Sequence, residues 1–189
     1  MGERICRPQY CRPKLAGRLW SVLDMGCRVQ DNYIKVFELI LYQPEIPPNT
    51  GNIIRVCANT GTKLHLVHPL GFELDDRKLR RAGLDYHEFA AIQEHTSLDE
   101  CLSYFADRRI FALSTRGPRN YAAVTYQPGD VFLFGPETRG LPQSVLDELP
   151  SERCLRIPML PDNRSLNLSN AAALLLYEAW RQQGFAGGM

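Results

Sequence analysis

The chain has 189 residues, of which 44% are hydrophobic and 23% charged, and its net charge is +1. That length suits one domain, and the composition is ordinary for a soluble globular protein. No apolar run approaches the ~18 residues that span a bilayer, so a membrane-spanning helix is excluded and a cytoplasmic location is the expectation.

The charge is unevenly spread. Residues 1–35 hold seven Lys/Arg against three Asp/Glu, and residues 36–189 hold fifteen against eighteen. The larger part is therefore no general nucleic-acid-coating surface, and any contact with nucleic acid must use a local cluster. Cysteines stand at 6, 11, 27, 57, 101 and 154. None forms a C-x-x-C pair and none matches a zinc template, so free, mostly buried thiols are expected. Histidines 65, 68 and 95 show no metal-site spacing either, and no metal is expected.

Residues 1–35 differ from the rest of the chain. They show no sustained period, and they carry scattered Arg, Pro and Cys. No apolar h-region or small-residue cleavage site marks a signal peptide. The segment reads as an N-terminal extension, disordered or not native to the protein, with translation starting near Val36 as one explanation. A basic arm that touches RNA is the competing reading.

From Val36 the pattern alternates. Strands are expected at 36–42, 64–67, 89–93, 110–114, 131–134 and 154–157. Helices are expected at 49–60, 75–82, 98–106, 143–149 and 167–183. Strands alternating with helices predict an α/β domain over 36–189, a mostly parallel sheet with helices on both faces. In the last helix Leu168, Ala171, Ala172, Leu175, Leu176, Ala179 and Trp180 follow helical spacing, while Ala173, Leu174 and Tyr177 fall on other faces. A helix apolar nearly all round is buried on more than one side. In so small a domain that suggests a twofold homodimer.

Three segments put Gly, Pro, Asn and a few charges beside apolar elements. The first is Asn49-Thr-Gly-Asn-Ile-Ile-Arg55. Asn49 or Thr50 can cap the helix, and Asn52, Arg55 and Asn59 form a polar stripe opposite its apolar face. A capped helix with a solvated stripe is the bland explanation, but two asparagines there are costly in helix propensity. The second is Phe134-Gly-Pro-Glu-Thr-Arg-Gly-Leu-Pro142, where a buried strand ends at a glycine that lets a ligand approach the backbone. The third is Ile157-Pro-Met-Leu-Pro-Asp-Asn-Arg-Ser-Leu-Asn-Leu-Ser-Asn170, in which Ser165 or Asn167 can cap the last helix. Loops at strand ends are where an α/β protein builds a ligand site. Lys78, Arg80 and Arg81, followed by Tyr86 and His87, are either a solvated face or a phosphate-contacting cluster with rings that stack on a base.

Together these motifs resemble the SPOUT superfamily of RNA methyltransferases that use S-adenosyl-L-methionine (AdoMet), in its 2'-O-ribose branch. Residues 41–55 and 80–87 are especially similar to the minimal members that act on the wobble ribose of certain tRNAs. The resemblance covers 36–189 and not 1–35. It implies an α/β knot, with a C-terminal trefoil knot at the cofactor site and a homodimer whose active sites borrow from the neighbouring subunit. It places AdoMet against Leu113, Gly135, Ile157 and Ser165, with Leu160 and Leu166 nearby. It assigns the reaction centre to Arg55, oriented by Asn49, with Glu137 and Asn167. Glu137 is expected to orient Arg139 or substrate, and Lys78, Arg80, Arg81, His87 and Arg139 to meet the RNA. The implied substrate is the anticodon stem-loop, whose unpaired bases are accessible. Methylation of another tRNA or rRNA ribose and a non-catalytic RNA-binding dimer are the rivals. A dinucleotide-binding oxidoreductase fails, because no G-x-G-x-x-G follows the first strand.

Overall fold

The computed structural model describes residues 37–73, 92–163 and 165–189. The expected N-terminal extension at 1–35 and the expected helix at 75–82 lie outside them.

Among the described residues, seven strands form one sheet: β1 (Phe37–Tyr42), β2 (Lys63–Val67), β3 (Ile92–His95), β4 (Ile110–Leu113), β5 (Arg119–Asn120), β6 (Asp130–Phe134) and β7 (Cys154–Arg156). Their order is β3-β2-β1-β6-β4-β7-β5, and each neighbouring pair is parallel. Four helices among the described residues accompany them: α1 (Pro47–Thr60), α2 (Leu98–Tyr104), α3 (Gln143–Asp147) and α4 (Leu168–Gln182). The mostly parallel α/β architecture is as expected. The two-residue β5 and the short 3₁₀ turns at Tyr121–Ala123 and Ser151–Arg153 were not.

The central strands are buried on both faces, which is why Leu39, Ile40 and Leu41 of β1 and Val131, Phe132, Leu133 and Phe134 of β6 read as continuous apolar runs. Successive side chains alternate between the two faces. Leu39 and Leu41 join Ile53, Ile54, Phe132, Leu175 and Leu176 in the core under α1 and α4. Ile40 joins Val67, Phe105, Leu133, Leu141 and Leu146 in the core under α2 and α3.

The start of α1 departs from expectation. The helix begins at Pro47, with Pro47-Pro48 in its first positions and Ile46 as an N-cap that offers no side-chain bond. Proline is pre-set for the first helical turn and lacks the N–H a cap would satisfy, so Asn49 and Thr50 already lie inside the helix. The polar stripe is as expected: Asn52, Arg55 and Asn59 are exposed, while Ile53, Ile54 and Cys57 are buried. At α4, Asn167 is the cap, its Oδ1 accepting from the backbone N–H of Ser169 and Asn170. Leu168, Ala172, Leu175, Leu176 and Ala179 face the core, whereas Leu174 and Tyr177 remain exposed on this chain.

Candidate active site

The carboxyl ends of β4, β6 and β7 open into a cavity of about 470 Å³, closed on its other sides by the first turns of α1 and α4. That volume falls in the range of small-molecule sites, and its place outside the carboxyl edge of a parallel sheet is where such folds bind ligands. Each wall has a local cause.

After β4, Ser114 donates its backbone N–H to Leu155 O at 2.9 Å, which ties the loop to β7. Arg116 is pinned by Gln143 Oε1 at 2.8 Å and Leu141 O at 3.1 Å, so its guanidinium forms part of the wall. After β6 the chain doubles back on itself at Gly135. A Cβ there would run into the backbone of Gly140 and Leu141, so only glycine lets the loop fold this tightly. Gly140 closes the turn with φ +65°.

Two glutamates then clasp this loop to the start of α1. Glu137 accepts from the backbone N–H of Glu45 at 2.8 Å and of Ile46 at 3.3 Å. Glu45 answers, accepting from the Thr138 N–H at 3.0 Å and the Thr138 hydroxyl at 2.6 Å. The hydroxyl first, and then the N–H, hold the Glu45 carboxyl below its ordinary pKa. Glu137 therefore does from another loop what no local side chain does for α1: it places a carboxylate at the helix N-terminus.

The chain of bonds continues inward. Asn49 donates from Nδ2 to Glu137 Oε1 at 3.1 Å and accepts from Asn167 Nδ2 at 2.9 Å. The Asn167 carbonyl oxygen meanwhile accepts from the Ser169 N–H at 2.9 Å and the Ser169 hydroxyl at 2.7 Å. Glu137, Asn49 and Asn167 thus form one polar line along the cavity, although Asn49 and Asn167 are 118 residues apart in sequence.

The structure brings together Asn49, Leu113, Gly135, Glu137, Arg139, Ile157, Ser165, Leu166 and Asn167 around this cavity. Three expectations need correction. Leu160 does not line it and is 79% exposed, because the proline-flanked turn directs it to solvent. Glu137 orients Asn49 and the start of α1, not Arg139, which donates instead to Gln43 Oε1 at 2.7 Å. Within one chain Asn49 does not meet Arg55: the Asn49 side chain bonds Glu137 and Asn167, and Arg55 lies further along α1, exposed and outside the cavity lining of its own chain. Lys78, Arg80, Arg81 and His87 lie outside the described residues. Sequence reasoning missed Glu45, Thr138 and Arg116, none of which carries a local signal.

The described cysteines, Cys57, Cys101 and Cys154, are free and buried as expected. Burial raises all three thiol pKa values, Cys101 to about 12, so they are inert as nucleophiles. His65 on β2 and His95 on β3, whose spacing matched no metal template, meet in space beside Cys101 on α2.

Comparison with known proteins agrees with this geometry. The sequence profile of the SpoU rRNA methylase family matches residues 37–177. The tRNA (cytidine(34)-2'-O)-methyltransferase of Methylovorus glucosotrophus (strain SIP3-4) is 61% identical over 154 residues, which are 82% of this chain and 100% of that protein. A solved structure described for the 2-OH methylation of C/U34 on tRNA superposes with a TM-score of 0.72 at 46% identity, covering 78% of this chain and 91% of that one. An AdoMet-bound rRNA methyltransferase from Sinorhizobium meliloti superposes with a TM-score of 0.67 at 25% identity, covering 77% of this chain and 56% of that one. With its family profile matched over most of its length and its sheet shared with solved methyltransferases, the chain belongs to the SpoU rRNA methylase family.

Proposed function

We propose that the chain is an AdoMet-dependent methyltransferase that modifies the 2'-hydroxyl of the wobble ribose, C or U at position 34, in the anticodon loop of certain tRNAs. The 61% identity to the Methylovorus enzyme across that protein's whole length carries this reading. The cavity fits the cofactor. The strand ends at Leu113, Gly135 and Ile157 present backbone donors and acceptors suited to an adenosine, and the close-folded loop at Gly135 leaves no side chain in the way. AdoMet bound there supplies an electrophilic methyl group on a sulfonium. Ser165, Leu166 and Arg139 complete the surround.

The residues of the chain have positional work to do. A 2'-hydroxyl must lie in line with the methyl group, and alignment alone contributes several kcal/mol. Asn167 and Asn49, fixed by Glu137, set the polar wall beside that line. Arg55 grips the reacting ribose and its phosphate and stabilises the developing oxyanion. A guanidinium keeps its charge and is a poor general base, so the proton passes to a substrate phosphate or water. The products are a 2'-O-methyl ribose, the demethylated thioether cofactor and that proton.

A homodimer belongs to the same reading. Leu174 and Tyr177 expose 44% and 42% of their surface on α4, which supports a second copy covering that face. In such a dimer Arg55, exposed and outside its own cavity, is supplied to the cavity of the other copy. The C-terminal trefoil knot rests on the resemblance, supported by the segment before α4 lining the same cavity as the loops after β4 and β6. Lys78, Arg80, Arg81 and His87 are assigned to the RNA surface with Arg139. The 36–189 span is the methyltransferase domain, supported by the profile match over 37–177. A cytoplasmic location goes with a tRNA substrate, and no described helix is long and apolar enough to cross a membrane.

The decisive assay incubates the purified chain with AdoMet and anticodon stem-loops, then maps methylated nucleosides by mass spectrometry. One methyl group on the ribose of nucleotide 34 is expected, and none when that sugar is 2'-deoxy. A methyl group elsewhere, or on the deoxy substrate, would overturn the assignment. In the same assay Arg55→Ala should lower turnover by about 10²–10³, the loss seen when one oxyanion donor is removed, with AdoMet affinity unchanged. Lost AdoMet binding would assign Arg55 to the cofactor instead. Gly135→Ala forces the loop open at a cost of about 1–3 kcal/mol, so calorimetry should show AdoMet Kd rising about tenfold or more.

A further inference from the structure

On the far side of β1 from the cofactor cavity, β2, β3 and α2 enclose a polar cluster that the proposed reaction does not use. His65 is fully buried on β2, His95 is 3% exposed at the end of β3, and Cys101 is fully buried on α2. His65 Nδ1 lies 2.9 Å from His95 Nε2, and one ligand atom from each of the three residues falls within 4.8 Å of the others. Behind them, His65 Nε2 meets Glu38 Oε2 at 2.9 Å, and Arg108 Nη1 donates to Glu38 Oε1 at 3.1 Å.

Glu38 is buried, with His65 at one carboxylate oxygen and Arg108 at the other, so it fixes the His65 ring from behind. The other ring nitrogen, Nδ1, is the one that meets His95.

We propose that His65, His95 and Cys101 form a transition-metal site, with Glu38 holding His65 from behind. One carboxylate on the remote nitrogen of a ligating histidine is the usual support for a bound metal, raising ligand basicity and fixing the ring. Two imidazoles and one thiolate are a borderline-soft donor set, which suits Zn²⁺ rather than Mg²⁺ or Ca²⁺. Zinc–nitrogen bonds of about 2.0–2.1 Å in a tetrahedral site need the two nitrogens roughly 3.3 Å apart, a few tenths of an ångström wider than their present separation. The Cys101 sulfur, within 4.8 Å of both, settles at roughly 3.6 Å from each when the metal binds.

Binding balances simply. The metal gains three dative bonds and a water in its fourth position. Each imidazole binds in its neutral form through an unprotonated nitrogen, and the Cys101 thiol gives its proton to solvent as the metal binds. One proton is released per metal ion, and nothing is oxidised or reduced. The ion clamps β2, β3 and α2 together, three elements of the sheet edge remote from the cofactor.

The test uses the full chain, stripped with a chelator and titrated with ZnCl₂ against a chromophoric competitor, and with Co²⁺ as a spectroscopic probe. The wild type should take up one Zn²⁺ at this cluster, gain thermal stability with it, and show a thiolate-to-cobalt charge-transfer band. Cys101→Ala should lose that band, and His95→Gln should lose the zinc-dependent stability while still folding in the absence of metal. Glu38→Gln, which keeps every ligand, should weaken zinc binding by about 10–100-fold. A wild type that takes up no zinc overturns the proposal. So does uptake unaffected by Cys101→Ala and His95→Gln, which would place the ion on thiols elsewhere in the chain.

Discussion

One carboxylate holds the candidate active site together. Glu137 reaches from the loop after β6 to the start of α1, where it accepts two backbone N–H groups and the Asn49 amide. Those N–H groups belong to Glu45 and Ile46, the residues that lead into α1, whose N-cap Ile46 offers no side-chain bond of its own. A buried or half-buried donor left unpaired costs about 1–3 kcal/mol, so the loop and the helix are strongly bound to one geometry. Asn49 then passes that constraint to Asn167, and Asn167 caps α4. Removing Glu137 would loosen both helix ends that close the cavity.

The sheet makes this possible. Its parallel strands all present their carboxyl ends on one edge, so the loops after β4, β6 and β7 converge although they are distant in sequence. The fold puts rigid, doubly buried strands beneath loops that need unusual backbone. Gly135 is the clearest case, since the loop there closes on itself without room for a side chain. A cofactor bearing a positive sulfur and a ribose hydroxyl that is a poor nucleophile both need alignment more than they need acid–base chemistry. A cavity walled by backbone groups and pinned amides provides that alignment.

Much of this was legible in the chain because apolar periodicity reports burial. The β1, β4 and β6 strands and the α1 and α4 helices fall within a residue or two of where the pattern put them. The glycine and asparagine motifs marked strand ends correctly. Partnerships were harder. Glu137 lies 88 residues from Asn49, and nothing local in either segment says that they bond. Leu160 looked like a cofactor neighbour by its place in a motif, yet side-chain direction in a proline-rich turn depends on dihedrals that spacing does not encode. The two-residue β5, Arg119-Asn120, is polar and has no strand pattern to read. The meeting of His65 with His95 could not be read from their spacing, because it comes from parallel pairing of β2 with β3 and not from a motif.

Glu137 and Asn49 act as one unit on the cofactor cavity. A double-mutant cycle of Asn49→Ala and Glu137→Gln, read as AdoMet affinity by calorimetry, tests that directly. Residues that share a bond couple by roughly 0.5–3 kcal/mol, so the double variant should bind AdoMet far less weakly than the two single losses combined. Strictly additive losses, or single variants that bind AdoMet as the wild type does, would contradict it.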